Sequence, residues 1–174
     1  MGIAMSGKLS RTKTTRSERH SPGAALGHAA VTRIGAIMSA PAVVVRPEMS
    51  IDSLRQLMLD RGLSRIPVVD ESGRAVGIVS TTDLVVEEHE RDGELQEETD
   101  RQLPRGFHVH DAGKTVGDVM TRNVLTLPES VSITQAAEAL VAHHLHGAPV
   151  CSHLGTVVGF VSSSDVLAWL AGLR

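Results

Sequence analysis

Tyrosine is absent from this chain, which carries two phenylalanines and one tryptophan. A core must therefore be built from aliphatic residues and Met. Any bound ring would be gripped by aliphatic side chains and backbone, not stacked between aromatics. A single cysteine, Cys151, excludes an internal disulfide and fits a reducing compartment. No apolar run approaches the ~20 residues that cross a bilayer, and no apolar signal-peptide core opens the chain. A cytoplasmic location is the expectation. The formal net charge of −3 makes no global case for nucleic-acid binding. A Gly-x-Ser-x-Gly nucleophile elbow and a Walker-type phosphate loop are both missing. Nothing here points to turnover, and the expectation is a protein that is not an enzyme.

What the sequence does contain is a duplication. Gly77-Ile78-Val79-Ser80-Thr81-Thr82-Asp83 returns 82 residues later as Gly159-Phe160-Val161-Ser162-Ser163-Ser164-Asp165. The same displacement carries Pro67 onto Pro149, Ile51 onto Ile133 and Met38 onto Met120. Each copy reads as an apolar strand running through Ser into a turn that opens a helix. A hydroxyl, free backbone N–H groups and a carboxylate then share one helix N-terminus, a setting suited to a phosphorylated sugar. A plain N-cap with a favourable first-turn charge is the competing reading.

In chain order, residues 1–33 read as a disordered basic tail. Lys8, Arg11, Lys13, Arg16 and Arg19 face one acid, Glu18, and the composition also allows an organelle transit peptide. Residues 34–90 form the first repeat. Ala42–Val45 is a short strand, and Ser50 caps a helix with apolar face Ile51, Leu54 and Leu57/Met58. Gly62 stops that helix in a left-handed conformation. Strands Ile66–Val69 and Ala75–Val79 flank a turn at 70–73, and a helix follows from about Thr82. Residues 91–114 are a charged linker. In the second repeat, residues 115–174, Val124–Leu127 is the first strand. Ser132 and Gln135 make a capping box for a helix buried along Ile133, Ala136, Ala137, Leu140 and Val141. A second hairpin, Ala148–Cys151 with Val157–Val161, leads to a closing helix carrying Val166, Leu167, Trp169 and Leu170. The fold class is α/β (α+β): two β-α-β-β-α repeats, each too small to bury its own sheet, packed face to face about a pseudo-two-fold axis.

Ile37-Met38-Ser39 and Val119-Met120-Thr121, Arg65–Val69 and Gly147–Val150, and the two Gly-x-Val-Ser-x-x-Asp segments together resemble a tandem pair of CBS (cystathionine β-synthase) domains, a Bateman module. The resemblance covers about 34–170. It implies a regulatory, energy-sensing module with no obligatory cofactor that binds AMP, ADP, ATP, S-adenosylmethionine or NAD between the repeats. It also implies two crossed sites. In one, Asp165 accepts from the ribose hydroxyls and Ser162 approaches the phosphate, with Ser39, Pro41, Leu63, Ser64 and the cation Arg65 completing the cleft. The other uses Ser80 and Asp83 with Thr121, Asn123, Leu145, His146 and Gly147. Gly147 stands where the first copy has Arg65, leaving His146 as the expected basic group there and a pH-sensitive affinity. The family further implies a homodimer through the helices after each Ser-x-x-Asp motif, with Leu84 and Trp169 as exposed apolar positions, and a protein target in trans.

Two other readings stand beside this one. The chain could be a constitutive assembly protein with unused clefts, or a nucleic-acid-associated factor acting through its basic tail. His143, His144 and His146, with His108 and His110, invite a zinc hypothesis. Neighbouring His143 and His144 would diverge by ~100° on a helix, and His144 takes the helix-stop position of Gly62. Capping or phosphate-facing roles are the better reading, and no metal site is expected.

Overall fold

The structure, a computed structural model, describes residues 22–89 and 113–173. The basic residues of the N-terminal tail, and His108 and His110 with most of the charged linker, lie outside the described residues. Helix α1, Pro22–Val31, corrects the expectation that the tail reaches residue 33. It starts on a proline, which suits a first helical turn. It packs on a later helix, with Ala29 3% exposed.

A 3-10 turn, Ile34–Ala36, follows. Helix α2, Ile51–Arg61, is capped by the Ser50 hydroxyl accepting from the Ser53 N–H and ends at Gly62 with φ 60°, as expected. Strands β1, Arg65–Val69, and β2, Ala75–Ser80, form an antiparallel hairpin pairing Arg65 with Ser80. Helix α3 runs over residues 81–89. After the linker come α4, Val116–Val119, β3, Thr121–Arg122, and β4, Leu127–Pro128. Helix α5, Ile133–Ala142, carries the expected capping box: the Ser132 N–H donates to Gln135, and the Gln135 N–H donates to the Ser132 hydroxyl. The hairpin of β5, Gly147–Cys151, and β6, Val157–Ser162, pairs Gly147 with Ser162. Helix α6, Ser163–Leu170, closes the fold.

Each hairpin is the centre of a sheet whose flanks come from different repeats. On one side its own repeat supplies a parallel neighbour: Val45 pairs with Val68, and Leu127 with Val150. On the other side the opposite repeat supplies an antiparallel one. Thr121 pairs with Ile78, and Ser39 with Phe160. The cores are exchanged in the same way. Val116 and Met120 pack with Ile51, Leu54, Ile66 and Val79, whereas Ala29, Ile34 and Ile37 pack with Ile133, Leu140, Val150 and Val161. The motif glycines sit at this seam. A Cβ on Gly77 would collide with the Met120 side chain, and one on Gly159 with Met38. Their role is close packing of the exchanged segments.

This exchange explains why two expected strands are shorter. Ser39 exchanges backbone bonds with Phe160, while six residues on Val45 bonds to Pro67 and Val69 of the other sheet. The chain between them crosses from one sheet to the other and cannot belong to both ladders. Around the second crossing only Thr121–Arg122 and Leu127–Pro128 pair, so Val124–Leu127 is not one continuous strand. Three burial expectations are also corrected. Val141 is 75% exposed, because it lies on the outer face of α5; Leu84 is buried, and Trp169 is half-buried against the second core. Cys151 lies in the fully buried β5, and burial raises its thiol pKa.

Candidate functional site

Two clefts open between the repeats, related by the same 82-residue symmetry. The first, about 280 Å³, is lined by Ser39, Pro41, Leu63, Ser64 and Arg65 from the first repeat and by Ser162 and Asp165 from the second. The second, about 360 Å³, is lined by Ser80 and Asp83 from the first repeat and by Thr121, Asn123, Leu145, His146 and Gly147 from the second. Every residue expected at the two sites therefore lines the cleft anticipated for it. The first volume falls just below, and the second at the lower end of, the usual range for small-molecule sites.

At the head of α6 the Ser162 N–H and hydroxyl both donate to Asp165 Oδ2, at 2.8 and 2.7 Å, while the Asp165 N–H donates to the Ser162 hydroxyl at 3.2 Å. The head of α3 repeats this with Ser80 and Asp83, at 2.7, 2.7 and 3.4 Å. Each Ser-x-x-Asp segment is thus a complete capping box that also lines a cleft. The capping reading from the sequence is seen directly, and the same side chains border the clefts. The carboxylate secures its helix through Oδ2, by charge-assisted hydrogen bonds.

The positive charge is distributed differently from the expectation. Arg65 lines both clefts, and so does His146. The Asp83 cleft therefore does not rely on His146 alone, since Arg65 reaches it too. Arg65 on β1 and His146 just before β5 stand on the partition between the cavities. Sequence spacing could not show this, because it assigned each residue to one copy of the motif. The missing cation at Gly147 has a steric cause: a Cβ there would lie 2.6 Å from the Phe160 ring. Phe160 also lines the Asp165 cleft, so one aromatic ring borders a site expected to be purely aliphatic.

His143 and His144 line the Asp83 cleft beside His146. His143 caps α5, and His144 takes the left-handed conformation, φ 53°, that Gly62 adopts after α2. Among the described residues no group of three or more His, Cys, Asp or Glu side chains is arranged to hold a metal. Nor is any helix among them long and apolar enough to cross a membrane.

A family model described as the CBS domain matches twice, over residues 34–90 and 116–172. CBS domain-containing protein CBSX1, chloroplastic, from Arabidopsis thaliana is 26% identical over 134 residues, covering 71% of this chain and 57% of that protein. L-aspartate semialdehyde sulfurtransferase from Methanocaldococcus jannaschii is 25% identical over 144 residues, covering 83% of this chain and 24% of the enzyme. The chain thus spans only part of these relatives. Among solved structures, CBSX2 in complex with AMP superposes with a TM-score of 0.64 at 27% identity, covering 82% of this chain and 99% of that one. The CBS domain pair of protein MJ0100 in complex with 5′-methylthioadenosine and S-adenosyl-L-methionine gives 0.63 at 25% identity, covering 79% and 98%. Two repeats with exchanged sheet edges, two symmetry-related clefts and a family match to each repeat lead to one conclusion: this chain belongs to the CBS domain family, as a tandem pair.

Proposed function

We propose that the chain is a non-enzymatic regulatory module that binds adenosine-containing ligands in its two clefts and signals their presence to a protein target in trans. The observation that carries this reading is the crossed construction of each cleft. A carboxylate at a helix N-terminus of one repeat faces the lead segment of the other, so a ligand must touch both repeats at once. Such a ligand shifts the packing of the repeats by its differential affinity for their arrangements. CBSX2 with AMP, and MJ0100 with two adenosine derivatives, support the ligand class. AMP, ADP, ATP, S-adenosylmethionine and NAD are the candidates. In the clefts Asp83 and Asp165 would take the ribose hydroxyls, and Arg65, Ser80, Ser162 and His146 the phosphate. The enzyme names among the relatives attach to proteins of which the match covers a minor part.

A cytoplasmic homodimer is part of the proposal. Leu59, Val85, Val86, Val141 and Leu167 are exposed on α2, α3, α5 and α6 and form the apolar faces available for it. Leu84 is drawn into the first core, and Trp169 is half-buried against the second. A second reading, a constitutive assembly protein, is favoured by the capping boxes, which account for Ser80, Asp83, Ser162 and Asp165 without any ligand. A thermal-shift panel of AMP, ADP, ATP, S-adenosylmethionine and NAD separates the two. A true ligand at 100 times its Kd stabilises by about 2.7 kcal/mol, which raises the melting temperature by roughly 5–10 °C in a chain of this size. Stabilisation by none of the five supports the assembly reading.

A further inference from the structure

We infer that the Asp83 cleft is the polyphosphate site of the pair, and that His143 and His144 make its affinity for polyphosphate fall as pH rises. This rests on the adenosine reading and adds a division of labour between the clefts. The Asp83 cleft is lined by Arg65 from β1, His143, His144 and His146 from the α5–β5 loop, and one acid, Asp83, at the head of α3. The Asp165 cleft has Arg65 and His146 against Asp165. The positions that correspond to His143 and His144 are Arg61, which does not line the Asp165 cleft, and Gly62, which has no side chain. Shared Arg65 and His146 cannot distinguish the clefts, so the difference lies in the two unshared histidines.

The backbone supplies an independent pointer. Among the described residues only Asn123 and His144 combine a side chain with a positive φ, 57° and 53°, and both line the Asp83 cleft. A left-handed residue is needed after α5, but glycine meets that need without steric cost, as Gly62 does after α2. Histidine in its place is the kind of local strain that gathers at binding sites. Imidazole changes charge between pH 5 and 8, and a ring that gains a proton supplies a charge-assisted donor to a phosphate oxygen. A ligand with phosphates beyond the one met by Arg65 would draw on these donors most. A terminal phosphate itself loses its last proton near pH ~6. Its own titration would therefore tighten binding with rising pH, the opposite sign to the effect inferred here.

Calorimetric titration of the full chain with ATP and AMP at pH 6 and pH 8, in an Asp165→Asn background, tests the inference. ATP is expected to bind about tenfold tighter than AMP at pH 6, with most of that preference lost at pH 8. Adding His143→Gln and His144→Gly should abolish the preference at both pH values without lowering the melting temperature, since glycine suits the backbone at 144. His143→Lys with His144→Gly should restore a preference that no longer depends on pH. An ATP-to-AMP ratio that is insensitive to pH, or unchanged by the histidine substitutions while nucleotide still binds, overturns the inference and leaves the adenosine reading intact. Binding of neither nucleotide by the unsubstituted chain overturns both.

Discussion

Asp165 holds two tasks that substitution can separate. Its Oδ2 accepts both the Ser162 N–H and hydroxyl, so truncation to Ala removes a capping box as well as any ribose contact. We expect Asp165→Ala to cost about 0.5–2 kcal/mol of stability, or a few degrees in melting temperature. Asp165→Asn keeps an acceptor oxygen for the cap and should melt near the parent chain, while losing the charge that strengthens bonds to the ribose hydroxyls. Its AMP affinity should fall roughly 30- to 1000-fold at that cleft. Equal affinities for Asn and Asp would make the carboxylate a cap alone. Both Ser-x-x-Asp segments were legible in the sequence because they recur at a fixed spacing. That Arg65 and His146 each border both clefts was not, because adjacency across a symmetry axis leaves no local pattern. The steric reason for Gly147 was hidden likewise, since Phe160 lies on the neighbouring strand.

Among the elements, α3 is fixed to α2 by an ion pair that composition disguised as part of a charged stretch. Arg55 Nη2 lies 2.9 Å from Glu87 Oε2, and the Glu87 side chain is only 5% exposed. The corresponding positions in the second repeat are Ala137 and Trp169, which pack as apolar groups against the core. Removing one partner of a buried pair strands the other charge. Arg55→Ala should therefore destabilise by about 2–3 kcal/mol, less than for a fully enclosed pair because Arg55 itself is 26% exposed. Arg55→Ala combined with Glu87→Leu should recover much of that loss, as read from denaturant unfolding; a double variant no better than the single one would contradict the account. At α4, the Thr115 N–H and hydroxyl both donate to Asp118 at 2.8 Å and hold its carboxyl below the usual range. A depressed folded pKa gives stability that is complete above the unfolded value of ~3.9 and disappears as pH falls through the folded value. Asp118→Asn should therefore lose less stability on acidification through that window than the parent chain does. Helices were readable from their caps and periodicity, Gly62 and Ser132 being clear punctuation. The first strand of each repeat was overdrawn, because a short apolar run such as Ala42-Val43-Val44-Val45 cannot reveal that the chain is crossing between sheets.

For the molecule as a whole, the exchange of edges and cores makes the repeats interdependent. Without the second repeat the first sheet loses β3, and its core loses Val116 and Met120. Residues 34–90 expressed alone should show no cooperative unfolding transition, and mixing with residues 113–174 should not restore the clefts unless Ile34 and Ile37 find their places opposite Ile133. The duplication and the fold class were legible at this scale; the crossing of the segments was not, since sequence order suggests that each repeat keeps its own residues. That crossing is what gives each cleft two walls from different repeats, and it underlies the central claim that the clefts recognise adenosine. Calorimetric titration of AMP and GMP into the parent chain and into the Asp83→Asn, Asp165→Asn double variant tests it most directly. Base-edge hydrogen bonds would distinguish adenine from guanine, because a site shaped for one leaves polar groups unpaired with the other. The predicted result is AMP binding to the parent chain, none of GMP at equal concentration, and loss of AMP binding in a double variant that melts like the parent. Equal affinity for AMP and GMP, or AMP binding undiminished in the double variant, would contradict the account.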